Sequence, residues 1–349
     1  MSFWVHNLDS NSPICSNTKT ALFLNYANAF EPLRQVISSA PKPNAITSLE
    51  DIDQNRGCRL DYAADMLLML TKGLLRHPQI DVQFGNLAQA DYKNPSSTWS
   101  VRSRSEGTLN GRLGQSRSLV LCTGSSPMSM TLPTSSPIAI NLDIALDRQK
   151  LRSSLSTAED IVVGVIGTSH SAIVALMNCY ELATETYPRL RIKWFVRSPL
   201  SYAVEMDGWI LRDNTGLKGA SADFAREHLE DSKLPRSRVG RYVTKVDCPD
   251  AGDESMRPQL SACTHVVQAI GFKRESLPHL SIDGADLQEV TYDPESGSLQ
   301  NGRGYAVPHL YGAGIAFPER VTDPAGNTEH AVGMWKFVKY LQRVVPSWR

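Results

Sequence analysis

The segment VIGTSHSA at residues 165–172 has the residue types best suited to chemistry. It joins an apolar run to a stretch with helical spacing, and such a junction presents free backbone N–H groups and a helix dipole to an anion. Gly167 allows a tight turn, and Ala172 is small enough for close packing of helix on strand. Ser169 stands where the usual pattern has a second glycine, and its hydroxyl can donate to phosphate. The segment predicts a dinucleotide pyrophosphate site, although an ordinary strand-turn-helix rich in small residues fits it equally well.

A second apolar run, RIKWFV at 191–196, ends at Arg197 and Ser198. An NAD-specific fold usually has an acidic residue at this place for the ribose hydroxyls, whereas a cation and a hydroxyl suit a 2′-phosphate. The pair therefore favours NADPH over NADH, and the alternative is that Arg197 is only a solvated charge at a strand end.

His170 lies in the turn of the 165–172 segment, where we expect it to contact the cofactor and not to act in acid–base catalysis.

The elements that position these residues follow from the spacing of apolar side chains. Residues 161–167 and 191–196 predict buried parallel strands, and Ser171–Ala183 between them predicts a helix, which gives a βαβ unit. Further buried strands are predicted at 118–122, 263–272 and 309–316. The helices predicted outside this unit are Leu60–Arg76, a helix near 219–231 and a closing helix at Glu329–Arg343.

Other parts of the sequence carry weaker patterns. Residues 1–57 predict no element, and 134–160 indicate a linker with one short helix near 144–152. Strands are predicted at 80–84 and 98–101. The Gly-, Arg- and Ser-rich stretch at 102–117 is interpreted as a hairpin loop.

Composition sets limits on the class of protein. The chain has 349 residues, which suits two domains, and 36 basic against 36 acidic residues give no basic excess for a nucleic-acid partner. We expect a cytoplasmic protein that does not associate with membranes, because no signal peptide or long apolar span is present. The six cysteines form no CxxC pair, so we expect reduced thiols and no metal site.

Three strand-end segments appear in a characteristic order: LVLCTGSSP at 119–127, VVQAIGF at 266–272 and HLYGAGIAFPE at 309–319. Together with GTSHSA, this order resembles the flavin- and NAD(P)-dependent oxidoreductases related to the N-hydroxylating flavin monooxygenases. RIKWFVRSPL, DGWILRDNTGLKG and AVGMWKFVKYLQRVVP are similar to fungal pyridine nucleotide-disulfide oxidoreductase-like proteins.

The resemblance implies an α/β fold with two Rossmann-like dinucleotide-binding domains of the glutathione-reductase kind. The NAD(P)H-binding domain, residues 156–284, would be inserted in an incomplete FAD-type domain formed by 1–155 and 285–349.

The resemblance also implies site residues, with FAD and NADPH as cofactors. The NADPH side would comprise Gly167, Thr168, Ser169, His170, Ser171, Arg197 and Ser198, and the FAD side Thr123, Gly124, Pro127, Gly312, Gly314 and Ile315. The implied activity is that of a flavin monooxygenase oxidising a small molecule in secondary metabolism. The resemblance assigns no catalytic side chain.

In the 207–219 loop, Asp213, Asn214 and Lys218 are polar candidates for the substrate side, but a solvated loop is the better interpretation.

Two departures from the resemblance matter. Residues 1–57 contain no GxGxxG turn, and Ile315 stands where the family has an aspartate for the ribityl chain. In the family, the FAD domain begins with a strand that leads into the GxGxxG turn, and this strand lies centrally in the sheet. Its loss leaves neighbouring strands with unpaired backbone groups. Three explanations stay open: an incomplete gene product, a degenerate segment at 1–57 that fills the gap, or a protein that has abandoned FAD. The functional alternatives are a flavin-less NADPH-binding or non-redox protein, and a non-enzymatic subunit whose missing strand comes from another chain.

Overall fold

The computed structural model describes residues 15–105, 108–155, 160–248 and 256–348. It confirms the predicted α/β class. The strands are β1 Cys15–Lys19, β2 Gly57–Arg59, β3 Asn86–Lys93, β4 Thr98–Ser105, β5 Thr108–Ser116, β6 Leu119–Leu121, β7 Ser125–Pro127, β8 Ile138–Ile140, β9 Val162–Ile166, β10 Arg191–Val196, β11 Val204–Glu205, β12 Ile210–Leu211, β13 Val243–Asp247, β14 His265–Gln268, β15 Phe272–Arg274, β16 His279–Ile282, β17 Ala285–Asp286, β18 Thr291–Tyr292, β19 Ser298–Gln300, β20 Ala306–Gly312, β21 Glu319–Thr322 and β22 Thr328–Ala331. The α-helices are α1 Thr20–Ala27, α2 Glu31–Ser39, α3 Ala45–Glu50, α4 Leu60–Leu74, α5 Leu142–Ala145, α6 Arg148–Ser154, α7 His170–Glu185, α8 Gly219–Phe224, α9 Arg257–Ser261 and α10 Met334–Val344.

A five-stranded parallel sheet forms the centre of the middle part of the chain, in the order β13-β10-β9-β14-β8. The predicted βαβ unit is present as β9, α7 and β10. Its strands are apolar on both faces because helices cover the sheet, as parallel sheets require. Ile173 and Leu176 of α7 are fully buried against β9, in the largest apolar cluster of the described residues.

The strand order contains one reversal of direction. From β9 the chain moves outward to β10 and then β13, and it then crosses back to β14 on the other side of β9. The carboxyl ends of β9 and β14 thus flank a topological switch point, the position at which open α/β sheets bind ligands.

Residues 138–155 belong physically to this sheet. β8 pairs in parallel with β14, and Leu151 of α6 is fully buried in the same apolar cluster. The interpretation of 134–160 as a linker with one helix is therefore wrong, because a three-residue strand is too short to show an apolar period. The predicted domain boundaries at 155/156 and 284/285 stay a prediction.

A second sheet, β18-β19-β20-β6, joins parts of the chain on either side of the parallel sheet. β6 and β20 pair in parallel, with Leu310 opposite Leu119. The whole parallel sheet lies between them in sequence, so the chain leaves this sheet and returns to it, which agrees with an inserted domain. Among the described residues β6 is an edge strand and Val120 is 43% exposed, so the prediction that both of its faces are buried is wrong.

A third sheet has the order β17-β16-β3-β4-β5. The predicted strand at 98–101 is present at the start of β4, where Trp99 is fully buried. Two predictions fail here. Residues 102–117 are largely the paired strands β4 and β5 and not a loop. Residues 80–84 form no strand, and Phe84 is 89% exposed.

The segment 20–74 forms a helical unit where residues 1–57 predicted no element. Helix α3 begins with a capping box, in which Asn44 Oδ1 accepts from the Thr47 N–H and Thr47 Oγ1 accepts from the Asn44 N–H. Helix α4 confirms the predicted helix, and its buried residues are Ala63, Met66 and Leu70.

The closing helix begins later than predicted. Residues 328–331 are strand β22, which pairs with β21 in a hairpin, and α10 starts at Met334. Gly333 separates the two elements with φ +145°, a conformation that L side chains rarely adopt.

Candidate functional site

A pocket of about 380 Å³ opens at the topological switch point and is called here the switch-point pocket. Its lining residues come from the ends of four parallel strands, from the segment after β7 and from the start of α9. They are Met128, Met130, Ile166, Gly167, Thr168, Ser169, Phe195, Arg197, Ser198, Cys248, Met256, Ala269, Ile270 and Gly271. Five of the seven residues predicted for the NADPH side therefore line one pocket, and His170 and Ser171 do not.

Gly167 sits in a place that no other residue fits. Its φ is +131°, and a Cβ built there would lie 2.3 Å from the carbonyl oxygen of Ala269. Hydrogen bonds fix its backbone on both sides, because its N–H donates to Phe195 O at 3.1 Å and its carbonyl accepts from Trp194 Nε1 at 2.7 Å. The turn is thus held close to β14, with room above it for a ligand.

Helix α7 starts at the wall of the same pocket. Its N-cap residue is Ser169, whose exposed side chain makes no capping hydrogen bond. The first N–H groups of a helix have no intrahelical acceptor. The start of α7 consequently offers backbone donors and the positive end of a 16-residue helix to a negatively charged group.

Arg197 and Ser198 follow β10 directly and are exposed at the rim of the pocket. Arg197 makes no ion pair with any residue that the structure describes. A guanidinium and a hydroxyl at this rim suit a phosphate group.

His170, at the start of α7, is engaged by a backbone group of the 207–219 loop. Its Nε2 accepts a hydrogen bond from the Lys218 N–H at 3.0 Å. Burial, assisted by the positive charge of Lys218, lowers the pKa of His170 to about 4. The neutral ring therefore ties the start of α7 to the 207–219 loop, and the contact of His170 and Ser171 with NADPH stays a prediction.

The polar residues of the 207–219 loop form a network with the C-terminal hairpin and α10. Asp213 contacts the ammonium groups of both Lys218 and Lys336, the latter at 2.6 Å, and Lys336 Nζ also donates to Asn214 Oδ1 at 2.5 Å. Burial works against the charged form of Asp213, but the two ammonium groups outweigh it and its pKa lies below the ordinary value. These groups satisfy one another and tie the loop to α10, and a role of Asp213, Asn214 and Lys218 on the substrate side stays a prediction.

Five of the six residues predicted for the flavin side, all except Pro127, lie at the ends of β6 and β20 or just after them. The Ala313 N–H donates to Leu121 O at 2.9 Å, which places the segments after both strands side by side. Thr123 Oγ1 and Ser125 Oγ are buried and have no hydrogen-bond partner in the described part of the chain. Buried hydroxyls without partners are rare and need an explanation, and a bound polar ligand supplies one.

The two glycines at these strand ends are open. Gly124 has φ +81° and Gly314 has φ +77°, and a Cβ at either position would meet no atom within 4 Å. Gly312 differs, since a Cβ there would lie 2.4 Å from the Phe317 ring, so it is a packing glycine. Ile315 is half-buried in the short 3₁₀ helix Gly314–Ala316.

Pro127 lies in a two-stranded antiparallel ribbon, β7 with β15, where it pairs with Phe272. The ribbon carries the chain from the β6–β20 side to the switch-point pocket. Both ends are closed by hydrogen bonds, Met128 N–H to Gly271 O at 2.9 Å and Glu275 N–H to Gly124 O at 3.1 Å.

Sequence reasoning missed the sulfur-rich wall of the switch-point pocket, formed by Met128, Met130, Cys248 and Met256. Short-range patterns carry no signal for this wall, because its members come from distant segments. No group of acidic, histidine or cysteine side chains suited to a metal ion occurs among the described residues. No helix in the described ranges is long and apolar enough to cross a membrane.

Comparison with known proteins gives one close relative. The sequence is 47% identical to Monooxygenase AgnR1 from Paecilomyces divaricatus over 336 residues, which cover 95% of this chain and 86% of that protein. No family model matches the chain.

Solved structures show weaker similarity. An ornithine N-hydroxylase from Kutzneria sp. 744 has a TM-score of 0.43 and 12% identity, with 96% of this chain and 87% of that chain covered. A NAD-dependent persulfide reductase from A. fulgidus has a TM-score of 0.39 and 11% identity, with 74% of this chain covered. The chain spans 42% of that reductase. At such TM-scores the structural similarity carries no argument about cofactor or activity.

Proposed function

The chain belongs to the family of the fungal Monooxygenase AgnR1, and on that premise we propose that it is a flavin-dependent, NADPH-consuming monooxygenase acting on a small molecule. The observation that carries the proposal is the switch-point pocket, in which a glycine turn, a helix start and an arginine converge. These are the three features with which a Rossmann-type sheet holds a phosphorylated dinucleotide.

The NADPH side fits the residues present. The turn at Gly167 and Thr168 and the start of α7 would hold the pyrophosphate, because a side chain at 167 would close the cradle against Ala269. Arg197 and Ser198 would hold the 2′-phosphate and so select NADPH over NADH. His170 would act indirectly, by fixing the start of α7 to Lys218.

The flavin side fits in part. The orphaned hydroxyls of Thr123 and Ser125 and the open glycines Gly124 and Gly314 support a polar ligand at the ends of β6 and β20. FAD and NADPH, when bound, supply hydride transfer and the activation of dioxygen, with one oxygen atom going to the substrate and the other to water. This chemistry needs no nucleophilic side chain, and the residues named here bind, orient and shield.

A second candidate is a flavin-less protein that binds NADPH. The elements before β3 favour this candidate. Among the described residues of that part of the chain, no strand is followed by a glycine turn and a helix, which is the unit that would hold the FAD pyrophosphate. The two candidates share the switch-point pocket and differ only at the ends of β6 and β20.

An anaerobic visible spectrum of the purified chain tests the proposal. With FAD added and excess removed, we expect flavin bands near equal stoichiometry that bleach on addition of NADPH. Arg197→Gln should slow bleaching by NADPH and leave bleaching by NADH unchanged. Arg191→Gln, at the opposite end of the same strand, serves as the control. A folded chain that retains no flavin yet binds NADPH would contradict the monooxygenase and support the second candidate.

A further inference from the structure

A second cavity, of about 590 Å³, lies at the far end of β15 from the switch-point pocket and is called here the cationic cavity. Gly271, just before β15, lines the switch-point pocket, whereas Arg274, its last residue, lines the cationic cavity. Ala316 of the 3₁₀ helix Gly314–Ala316 also lines it. The cavity therefore adjoins the β6–β20 strand ends, where the flavin side is proposed.

The β21–β22 hairpin supplies two of the cavity's basic residues. Arg320 and His330 are directly opposite each other across the hairpin, and both line the cavity. Opposite residues of an antiparallel pair project from the same face, so Arg320 and His330 present their side-chain nitrogens to the same side of the hairpin.

The two glutamates of the same hairpin are already engaged by other residues. Glu319 pairs with Arg343 at 2.7 Å. Glu329 lines the cavity beside His330. Its carboxylate accepts from the Asn214 N–H at 2.9 Å and from the Thr215 hydroxyl.

Arg274 approaches from a third strand. Its guanidinium lies 5.0 Å from the centre of the buried Phe317 ring. It is opposite Ser125, one of the two orphaned hydroxyl residues. Neither Arg274 nor Arg320 forms an ion pair with another residue in the described ranges. The cavity thus holds two permanent positive charges against one carboxylate, that of Glu329, which Asn214 and Thr215 already bind.

We propose that the cationic cavity binds the substrate, and that the substrate is an organic acid with an apolar body. Arg274 and Arg320 hold its carboxylate, His330 adds a donor, and Tyr292 and Ala316 contact the apolar part. Guanidinium groups suit this task because they bind carboxylates in bidentate geometry. The inference rests on the proposed function only in calling the ligand a substrate.

Binding of a matched pair of fluorescent probes, 2-naphthoate and the neutral 2-naphthamide, tests the proposal without turnover. We expect the intact chain to bind 2-naphthoate at least tenfold more tightly. Arg274→Gln and Arg320→Gln should each weaken naphthoate binding by about ten- to a hundredfold, as for loss of a charge-assisted hydrogen bond, and leave naphthamide unchanged. Arg320→Lys should bind 2-naphthoate with an affinity between those of the intact chain and Arg320→Gln. Arg303 is exposed and lies outside the cavity, so Arg303→Gln should change the affinity for neither probe.

Equal affinity for the two probes, or naphthoate binding that survives both glutamine variants, would overturn the proposal. The other source of an anion here is a phosphate of the cofactor. If the variants lose flavin in the visible spectrum but keep their affinity for naphthoate, the cavity serves that phosphate and the substrate assignment is wrong. A chain that holds no flavin but still prefers naphthoate through both arginines would contradict only the monooxygenase proposal. Thermal melting of each variant excludes loss of fold as the cause.

Discussion

Replacing Gly167 by alanine tests the geometry on which the nucleotide site depends. The new Cβ would lie 2.3 Å from the Ala269 carbonyl oxygen, well inside contact distance, at a φ of +131°. The backbone conformation costs about 1–3 kcal/mol for an L side chain, and relief of the collision costs about 1–3 kcal/mol more. We expect Gly167→Ala to lower the free energy of unfolding by about 2–6 kcal/mol and to abolish NADPH binding, because the turn must move away from β14.

Gly271→Ala is the matched control. Its φ is +114°, but a Cβ there would meet no atom within 4 Å, so it carries the backbone strain without the collision. Urea unfolding measures stability, and quenching of the buried Trp194, whose Nε1 donates to Gly167 O, reports the turn. The reasoning predicts a larger loss for Gly167→Ala by about 1–3 kcal/mol. Equal losses of unfolding free energy in the two variants, or normal NADPH binding by Gly167→Ala, would refute the reasoning.

Three further predictions follow from individual side chains. Arg197→Gln should raise the Kd for NADPH about ten- to a hundredfold and leave that for NADH unchanged, measured by fluorescence titration; equal changes for both would place the arginine away from the 2′-phosphate. The pKa of His170 is about 4 in the fold against an ordinary 6.5, so the unfolded chain takes up the proton first as the pH falls. Stability is therefore full above pH 6.5 and declines towards pH 4, by on the order of 3 kcal/mol, and urea unfolding across this range should show a smaller decline in His170→Gln. Asp213→Asn leaves the ammonium groups of Lys218 and Lys336 together without a counter-charge and should lower the free energy of unfolding by about 1–3 kcal/mol, while Asp213→Glu should restore part of it.

The predictable part of the fold is the part in which local pattern and burial agree. The runs at 161–167 and 191–196 are apolar on both faces because helices cover the parallel sheet, and this pattern identified β9 and β10 closely. Gly167 was identifiable for the same reason, since its place between a strand and a helix is a local feature. The five residues of the NADPH side that line the pocket were therefore readable from sequence.

The remaining parts depend on contacts between distant residues. The β4–β5 strands are polar and rich in serine and arginine, so no alternation marked them within 102–117. Helices α1 to α3 have nine residues or fewer, and the Asn44–Thr47 capping box is a local signal of their presence in the sequence. Arg274, Arg320 and His330 are exposed in three short strands, and only the pairing of those strands brings them to one cavity.

The β7–β15 ribbon has a further consequence, because it sets the spacing between the two cavities. A strand advances about 3.3 Å per residue, so the three steps from Gly271 to Arg274 correspond to about 10 Å. Hydrogen bonds close both ends of the ribbon, so neither strand can lengthen alone. The distance between the ligands of the two cavities is therefore set by six residues, and a two-residue insertion into both strands would lengthen it by about 7 Å.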